Sequence, residues 1–464
     1  MVIAKERETE DVFEKKHQTL VSTVTQLAPI DPFSFFAAGA KHYRGKRFYW
    51  SDPGQEKVFV GLGMAHEIVA HGDDRFAKVE EERKKLLNMI ETETDLAIQG
   101  TGPLLFGGFS FDSQAAKTAL WRSFPDASFV VPVFLLTVTR QGCWLTVNRL
   151  VQAGDHSIQE KWLEKERESL LRNARAVVLS DGSAQSENVR YATTDVEPEA
   201  WKRAVAEAVD QIRNGEVDKV ALAREIRVHA TERIDVVRTL KRLCKQQKES
   251  YVFAVERGTD CFLGASPEQL VKRDGNKLHA TCLASSIGRG KTAEEDERLG
   301  QRLLSDEKFI VEHQFVVDMI KSAMEAECED VSVPNEPSLF KTAYIQHLYT
   351  PVTGTARRGT SLLSMVEKLH PTPALGGYPQ DVAVRKIREM EKLDRGWYAS
   401  PLGWMDRHGN GEFIGAIRSG IVRGNEVSLF VGNGIVADSD PESEYEETKL
   451  KPKPMLTALG GKRS

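Results

Sequence analysis

Apolar positions along the chain change period repeatedly, and the changes divide it into elements. Residues 8–27 carry apolar side chains at helical spacing and predict an amphipathic helix. Short apolar runs at 47–50 and 58–62 read as strands, and 75–97 is a charged segment with apolar residues three and four apart, the pattern of a surface helix. Strands are predicted at 104–111, 128–139 and 143–150, and a helix at 157–178. The small, polar stretch 180–187 is the best internal boundary. Past residue 195 the pattern restarts: a helix over 198–214, a strand over 219–228, a helix over 231–247, then strands at 250–256, 261–265 and 278–284. A long helix is expected over 293–324, and strands return at 403–405, 411–421 and 427–431. Strands often follow one another with no helix between them. That favours an α+β fold with large, mainly antiparallel sheets over a βαβ wind. The expected organisation is an N-terminal α+β half, 1–190, and a catalytic half, 191–464, packed with it into one compact unit.

Composition narrows the class. The 464 residues are 41% hydrophobic, ample for a large core. Lys+Arg total 63 against 68 for Asp+Glu, a net charge of −5, so no basic field for nucleic acid exists. Five scattered cysteines show no zinc or redox spacing and fit reduced thiols. The first twenty residues are charged and lack the apolar stretch of a signal peptide. No apolar run approaches the ~18 residues of a membrane span. The expectation is a cytoplasmic protein with neither nucleic-acid nor membrane partners.

Candidate chemistry concentrates near the C-terminus. A short apolar run ends in Gly432-Asn433-Gly434, and an acidic segment with helical character follows. Glu444 and Glu447 stand three residues apart and so share a helix face, with Lys451 one turn further on. Paired carboxylates are oxygen ligands for a hard cation such as Mg²⁺, and a neighbouring lysine suits an anion held by the same metal. Elsewhere, Lys219 opens the apolar run Val220–Ala223, Glu268 follows the turn Ser266-Pro267, and Arg418 sits among small residues in Gly415–Gly420. Each has a bland alternative: a strand cap reaching water, an acid beside a helix dipole, an edge-strand arginine. Functionally, Lys219 suits a general base, Glu268 a general acid, and Arg418 a carboxylate clamp. Glu312 gains weight only as a third carboxylate beside Glu444 and Glu447. His370 lies in a rigid proline- and glycine-rich loop and is a candidate hydrogen-bond donor to substrate. Gly290-Lys291-Thr292 nearly completes a phosphate-cradling loop, but Ser285 stands at its first required glycine.

Taken in order, these segments resemble one family. They are DKVALAR at 218–224, FLGASPEQL at 262–270, Glu312-His313, LHPTPALGG at 369–377, RGWYASPLGW at 395–404, GAIRSG at 415–420 and GNGIVADSDPESEYEETK at 432–449. Over roughly 195–458 the chain resembles the chorismate-utilising enzymes, which include isochorismate, salicylate, anthranilate and aminodeoxychorismate synthases. PFSFFAAGAKHYRGKRFYWSDP at 32–53 and LLFGGFSFD at 104–112 extend the likeness toward the menaquinone branch in Bacillus-like bacteria.

The resemblance implies an anthranilate synthase component I-like fold, two large antiparallel sheets packed together with helices outside. It implies chorismate between the sheets on Mg²⁺, held by Glu312 and Glu447, with Glu444 direct or through water. Arg418, Lys451 and backbone N–H groups at Gly432 and Gly434 would hold carboxylates. Ala284, Ser285, Ser286, His370, Ala374, Tyr398 and Ile417 would line the pocket. Lysine at 219, where ammonia-using members carry glutamine, implies attack by water at C2, while Glu268 protonates the departing C4 hydroxyl. Ala284 lacks the nucleophilic lysine common in aminodeoxychorismate synthases, and Ala374 replaces the threonine typical of members that eliminate pyruvate. The implied activity is therefore isochorismate synthase, an isomerase, with no glutaminase subunit. Salicylate synthase and a siderophore-pathway isochorismate synthase are the alternatives. Ser285 replaces a family glycine, and Phe309 an acidic residue three before Glu312.

Overall fold

The computed structural model of the chain describes residues 18–92, 96, 98–152, 158–177, 190–342, 344–460 and 462–463. Two sheets, almost wholly antiparallel, form its centre. The middle of the larger, 14-stranded sheet runs Lys219–Ala230, Glu426–Ile435, Ser419–Arg423, Asp260–Ser266, Tyr251–Arg257, Arg47–Ser51 and Lys57–Leu62. The ten-stranded sheet is centred on Ile345–Ala356, Lys277–Gly288, Gln269–Asp274, Gly411–Gly415, Pro401–Asp406 and Leu104–Phe109. Strands from early and late in the chain interleave in both sheets.

Aromatic side chains fill the space between the sheets. Phe48, Trp50, Phe59, Phe106, Trp121, Phe253, Phe262, Trp397 and Trp404 belong to this one core cluster. Phe48 stacks on Phe106 with centroids 4.2 Å apart, and Trp404 meets Phe59 edge-on at 4.9 Å. Such large rings bridge the ~10 Å gap between packed sheets. Two further clusters seal the outer faces against helices, including Pro32–Ala38 and Val236–Gln246 on one side and Glu307–Glu327 and Leu362–Leu369 on the other.

Several sequence expectations change. Residues 18–27 form a strand rather than part of a helix, because Gln18–Leu27 pairs along its length with Gly142–Gln152; residues 8–17 lie outside the described residues. The 180–187 boundary also lies outside them. The 75–97 helix ends at Leu87, and the 231–247 helix begins at Val236, capped by Asp235. The long 293–324 helix is two, Ala293–Ser305 and Glu307–Glu327. Asp306 between them has extended backbone, and its carboxylate caps the second helix at Lys308 N–H. The 128–139 strand divides into Ala127–Val131 and Phe134–Thr139, which lie in different sheets. Sequence periodicity missed the twelve-residue strand Ile345–Ala356 and the helices Leu362–Leu369 and Gln380–Met390.

The 411–421 strand also divides, and this division builds the site. Gly411–Gly415 belongs to the smaller sheet and Ser419–Arg423 to the larger, so the chain crosses between sheets at Ala416-Ile417-Arg418. Asp260–Ser266 and Gln269–Asp274 make the same crossing at Pro267-Glu268. The two crossings are hydrogen-bonded together: Gly415 N–H donates to Glu268 O at 3.0 Å, Ala265 N–H to Arg418 O at 3.2 Å, and Ser266 Oγ to Gly415 O at 2.5 Å. Gly264 permits the approach, since a Cβ there would stand 2.6 Å from Ser419 Cβ.

A buried ion pair ties early and late strands. Arg47 Nε and Nη2 donate to Glu256 at 2.7 and 2.5 Å, and Gly45 N–H donates to the same carboxylate at 3.0 Å. Removing one partner strands the other charge in the interior. Glu256→Ala is therefore expected to lower unfolding free energy by about 3–5 kcal/mol in urea titration, and Arg47→Met combined with Glu256→Leu to recover most of the loss.

Candidate active site

An open cavity of about 440 Å³ lies beside the two crossings. Its lining gathers Lys219, Glu268, Ala284, Ser285, Ser286, Glu312, Ala374, Tyr398, Ile417, Arg418, Gly432, Gly434, Glu444, Glu447 and Lys451 from eight separate stretches of sequence. His370 is the one predicted site residue outside the lining. Its Nε2 lies 3.0 Å from Phe111 O, its ring stands edge-on to Phe111, and burial holds its pKa down at about 3. It is a buried imidazole held against Phe111, in the loop that carries Ala374.

Lys219 begins the strand Lys219–Ala230 and is buried. Its Nζ donates to Glu312 Oε1 at 2.7 Å. Gly434, across the ladder, leaves room for it: a Cβ there would stand 2.6 Å from Lys219 Cε. Glu268 is 4% exposed, and burial raises its carboxyl to about 8 despite the opposing pull of Arg418 and Lys219. A carboxyl at about 8 stays protonated at neutral pH.

Arg418 stands at the second crossing with a left-handed backbone, φ 52°. Burial lowers its pKa, with Tyr398, Glu447 and Glu268 opposing. Among the described residues no carboxylate lies within ion-pair distance of it, so they do not supply the carboxylate partner that burial demands. Tyr398, its hydroxyl pushed up to about 12 by burial, lines the same wall.

The carboxylates have internal partners. Glu312, on the helix Glu307–Glu327, also accepts from Ser285 Oγ at 3.0 Å. Glu444 accepts from Asn433 Nδ2 at 2.6 Å and Ser439 Oγ at 2.7 Å. Glu447 lies 2.9 Å from Lys451 Nζ, which also donates to Gly432 O at 2.9 Å and to Asn433 Oδ1. Gly432 thus offers Lys451 a carbonyl, a contact the expectation of N–H donors did not include. Among the described residues no three His, Cys, Asp or Glu groups converge as a ready metal cluster. Yet Glu312, Glu444 and Glu447 border one cavity, and hard oxygen donors with that charge fit Mg²⁺.

Ser285 takes the left-handed conformation a glycine would favour, φ 54°, at a bulge between Ala284 and Ser286. The conformation costs about 1 kcal/mol in a non-glycine residue, and its hydroxyl bonds to Phe309 O at 2.8 Å and to Glu312 offset that. Phe309 itself lines the cavity. Sequence reading passed over His347, whose Nδ1 lies 2.6 Å from Ser286 Oγ, and Arg395, which is bound to Glu391 and donates to Ala221 O at 2.6 Å. His347 sits in the unrecognised strand Ile345–Ala356, and Arg395 opens the RGWYASPLGW motif, of which the resemblance assigns only Tyr398 to the pocket. The phosphate-loop alternative fails here: Gly290 N–H donates to Asp296 Oδ1 at 3.0 Å and Lys291 N–H to Glu295 Oε2 at 2.8 Å, so acidic side chains occupy the amides a phosphate would need.

Fold and cavity together define a class, and the chain belongs to the chorismate binding enzyme family, whose model matches residues 7–460. It is 45% identical over 455 residues to isochorismate synthase MenF of Bacillus subtilis, covering 97% of this chain and 95% of that one. It is 37% identical to the salicylate biosynthesis isochorismate synthase of Pseudomonas aeruginosa, covering 95% and 91%. Among solved structures, the menaquinone-specific isochorismate synthase MenF of Escherichia coli matches with a TM-score of 0.75 at 22% identity, over 95% of this chain and 94% of that one. Anthranilate synthase component I of Streptococcus pneumoniae matches with a TM-score of 0.72 at 23% identity, over 86% and 92%. The expected two-sheet fold is the one observed. No described helix is long and apolar enough to cross a membrane.

The Gly434–Lys219 contact is open to test. In Gly434→Ala the flexible lysine is the group that moves, so stability should change by less than about 1 kcal/mol. A crystal structure of the variant should show Lys219 Nζ displaced from Glu312; an unmoved lysine would contradict the packing described.

Proposed function

We propose that the protein is an isochorismate synthase, an isomerase that converts chorismate reversibly to isochorismate. One observation carries the assignment: a buried, protonated Glu268 and the amine of Lys219 border the same cavity as Arg418, a cation with no ion-pair partner among the described residues. The names of both curated relatives support it, since each is an isochorismate synthase. A salicylate synthase, which would add pyruvate elimination, has less support.

Arg418 and Lys451 hold substrate carboxylates, the first through its planar fork and the second as a point charge. Tyr398, Ile417 and Ala374 bound the ring. Lys219 takes a proton from water, and the oxygen adds at C2. Glu268 gives its proton to the C4 hydroxyl, which leaves as water while the ring double bonds shift. One water enters and one leaves, so the reaction is an isomerisation and needs no ammonia or glutaminase subunit. Glu312, Glu444 and Glu447 would hold Mg²⁺, which when bound supplies positive charge to the substrate's ring carboxylate. We assign the enzyme to menaquinone biosynthesis in the cytoplasm on the likeness of segments 32–53 and 104–112 to that branch. A deletion strain should lose menaquinone; loss of a catechol siderophore alone would reassign the pathway.

With chorismate and Mg²⁺ the purified protein should give a chorismate–isochorismate mixture by chromatography, with no pyruvate. Salicylate accompanied by pyruvate would make the second activity correct.

Lys219→Ala and Glu268→Gln should each lower turnover at least ~10²-fold with the fold intact. Glu268 acts in its protonated form, so raising pH through about 8 removes that form and turnover should fall along an alkaline limb. Turnover that stays flat to pH 9 would exclude Glu268 as the acid.

A further inference from the structure

A second cleft, of about 390 Å³, lies between the helix Arg75–Leu87, the turn at 359–362 and the turn at 405–409, and shares no lining residue with the catalytic cavity. Among the described residues Arg83, Lys84 and Arg273 line it against one carboxylate, Glu80, and Arg407, held by contacts of its own, borders it. That local excess of cations is notable in a chain whose net charge is −5.

Its arginines are held in place. Arg83 Nε and Nη2 donate to Glu80 at 2.9 and 3.0 Å, which leaves Nη1 without a hydrogen bond to a described residue. Arg273 Nε donates to Gly275 O at 2.9 Å and Nη1 to Thr360 O at 2.5 Å, and its Nη2 has no described partner. Arg407 Nη1 donates to Thr92 Oγ1 at 2.5 Å, and Nε to His408 Nε2 at 3.1 Å. Lys84 reaches Glu80 only at 3.9 Å and is mostly exposed. Partial burial and the facing Arg83 both depress the Arg273 pKa, as expected where like charges meet undercompensated. Preset guanidinium forks lose little entropy on binding and match the spacing of phosphate oxygens.

We propose that this cleft binds a tetrahedral oxyanion, either inorganic phosphate or the phosphate group of a small metabolite. The proposal is independent of the catalytic assignment. It is tested by isothermal titration calorimetry of the full chain with sodium phosphate and with glycerol phosphate at matched ionic strength. Saturable binding is expected, weakened at least ~10-fold, about 1.4 kcal/mol, by Lys84→Glu and by Arg273→Gln and unchanged by Arg418→Gln. Equal affinities would identify phosphate itself as the ligand, and tighter binding of glycerol phosphate a phosphorylated metabolite. Lys84 is exposed, so its variant keeps the test valid if Arg273→Gln fails to fold. Absence of saturable binding, unchanged affinity in Lys84→Glu, or loss of binding in Arg418→Gln would each overturn the proposal.

Discussion

Everything distinctive about this molecule depends on two strands that change sheets side by side. At Ser266–Glu268 and at Ala416–Arg418 the backbone leaves one sheet and enters the other, and the crossings hydrogen-bond to each other through Gly415, Glu268, Ala265 and Arg418. Side chains at a crossing belong to neither sheet's alternation, so they project into the space where the sheets diverge. Glu268 and Arg418 are the cavity residues found there.

The crossings fix two elements of the site with backbone hydrogen bonds, and the remainder attaches around them. Strand pairing with Glu426–Ile435 brings Lys219 opposite the glycine-rich segment, the bulge at Ser285 turns a hydroxyl toward Glu312, and the short helix Pro441–Thr448 presents Glu444 and Glu447. Burial then sets the electrostatics. Burial raises the Glu268 carboxyl and leaves Arg418 without an ion-pair partner among the described residues, while Lys219 pairs with Glu312 and Lys451 with Glu447.

Loop chemistry explains why two motif-like features have different meanings from their sequences. Gly290-Lys291-Thr292 opens a helix whose first turn carries Glu294, Glu295 and Asp296, so the amides are satisfied by acids of the same chain. His370 lies in a motif shared with chorismate enzymes, yet its ring is packed among aromatic side chains and serves the loop. A motif specifies which residues recur together; packing decides which of them meet the cavity.

By itself the sequence determined the family, the two-sheet class and nearly all the expected residues that line the cavity, because Lys219, Glu268, Arg418 and the Glu444–Lys451 segment each lie in a short stretch whose residue order is distinctive. Local patterning also located most strands. The tertiary structure alone decided the rest. Residues 18–27 became a strand because a partner strand was available, and 293–324 broke at Asp306 because its carboxylate capped a new helix. The divided 411–421 segment, the place of His347 and the seclusion of His370 likewise depend on which surfaces meet. Periodicity reports which side of an element is apolar. It carries no information about which distant strand supplies the hydrogen bonds, or which buried charge is left without a partner.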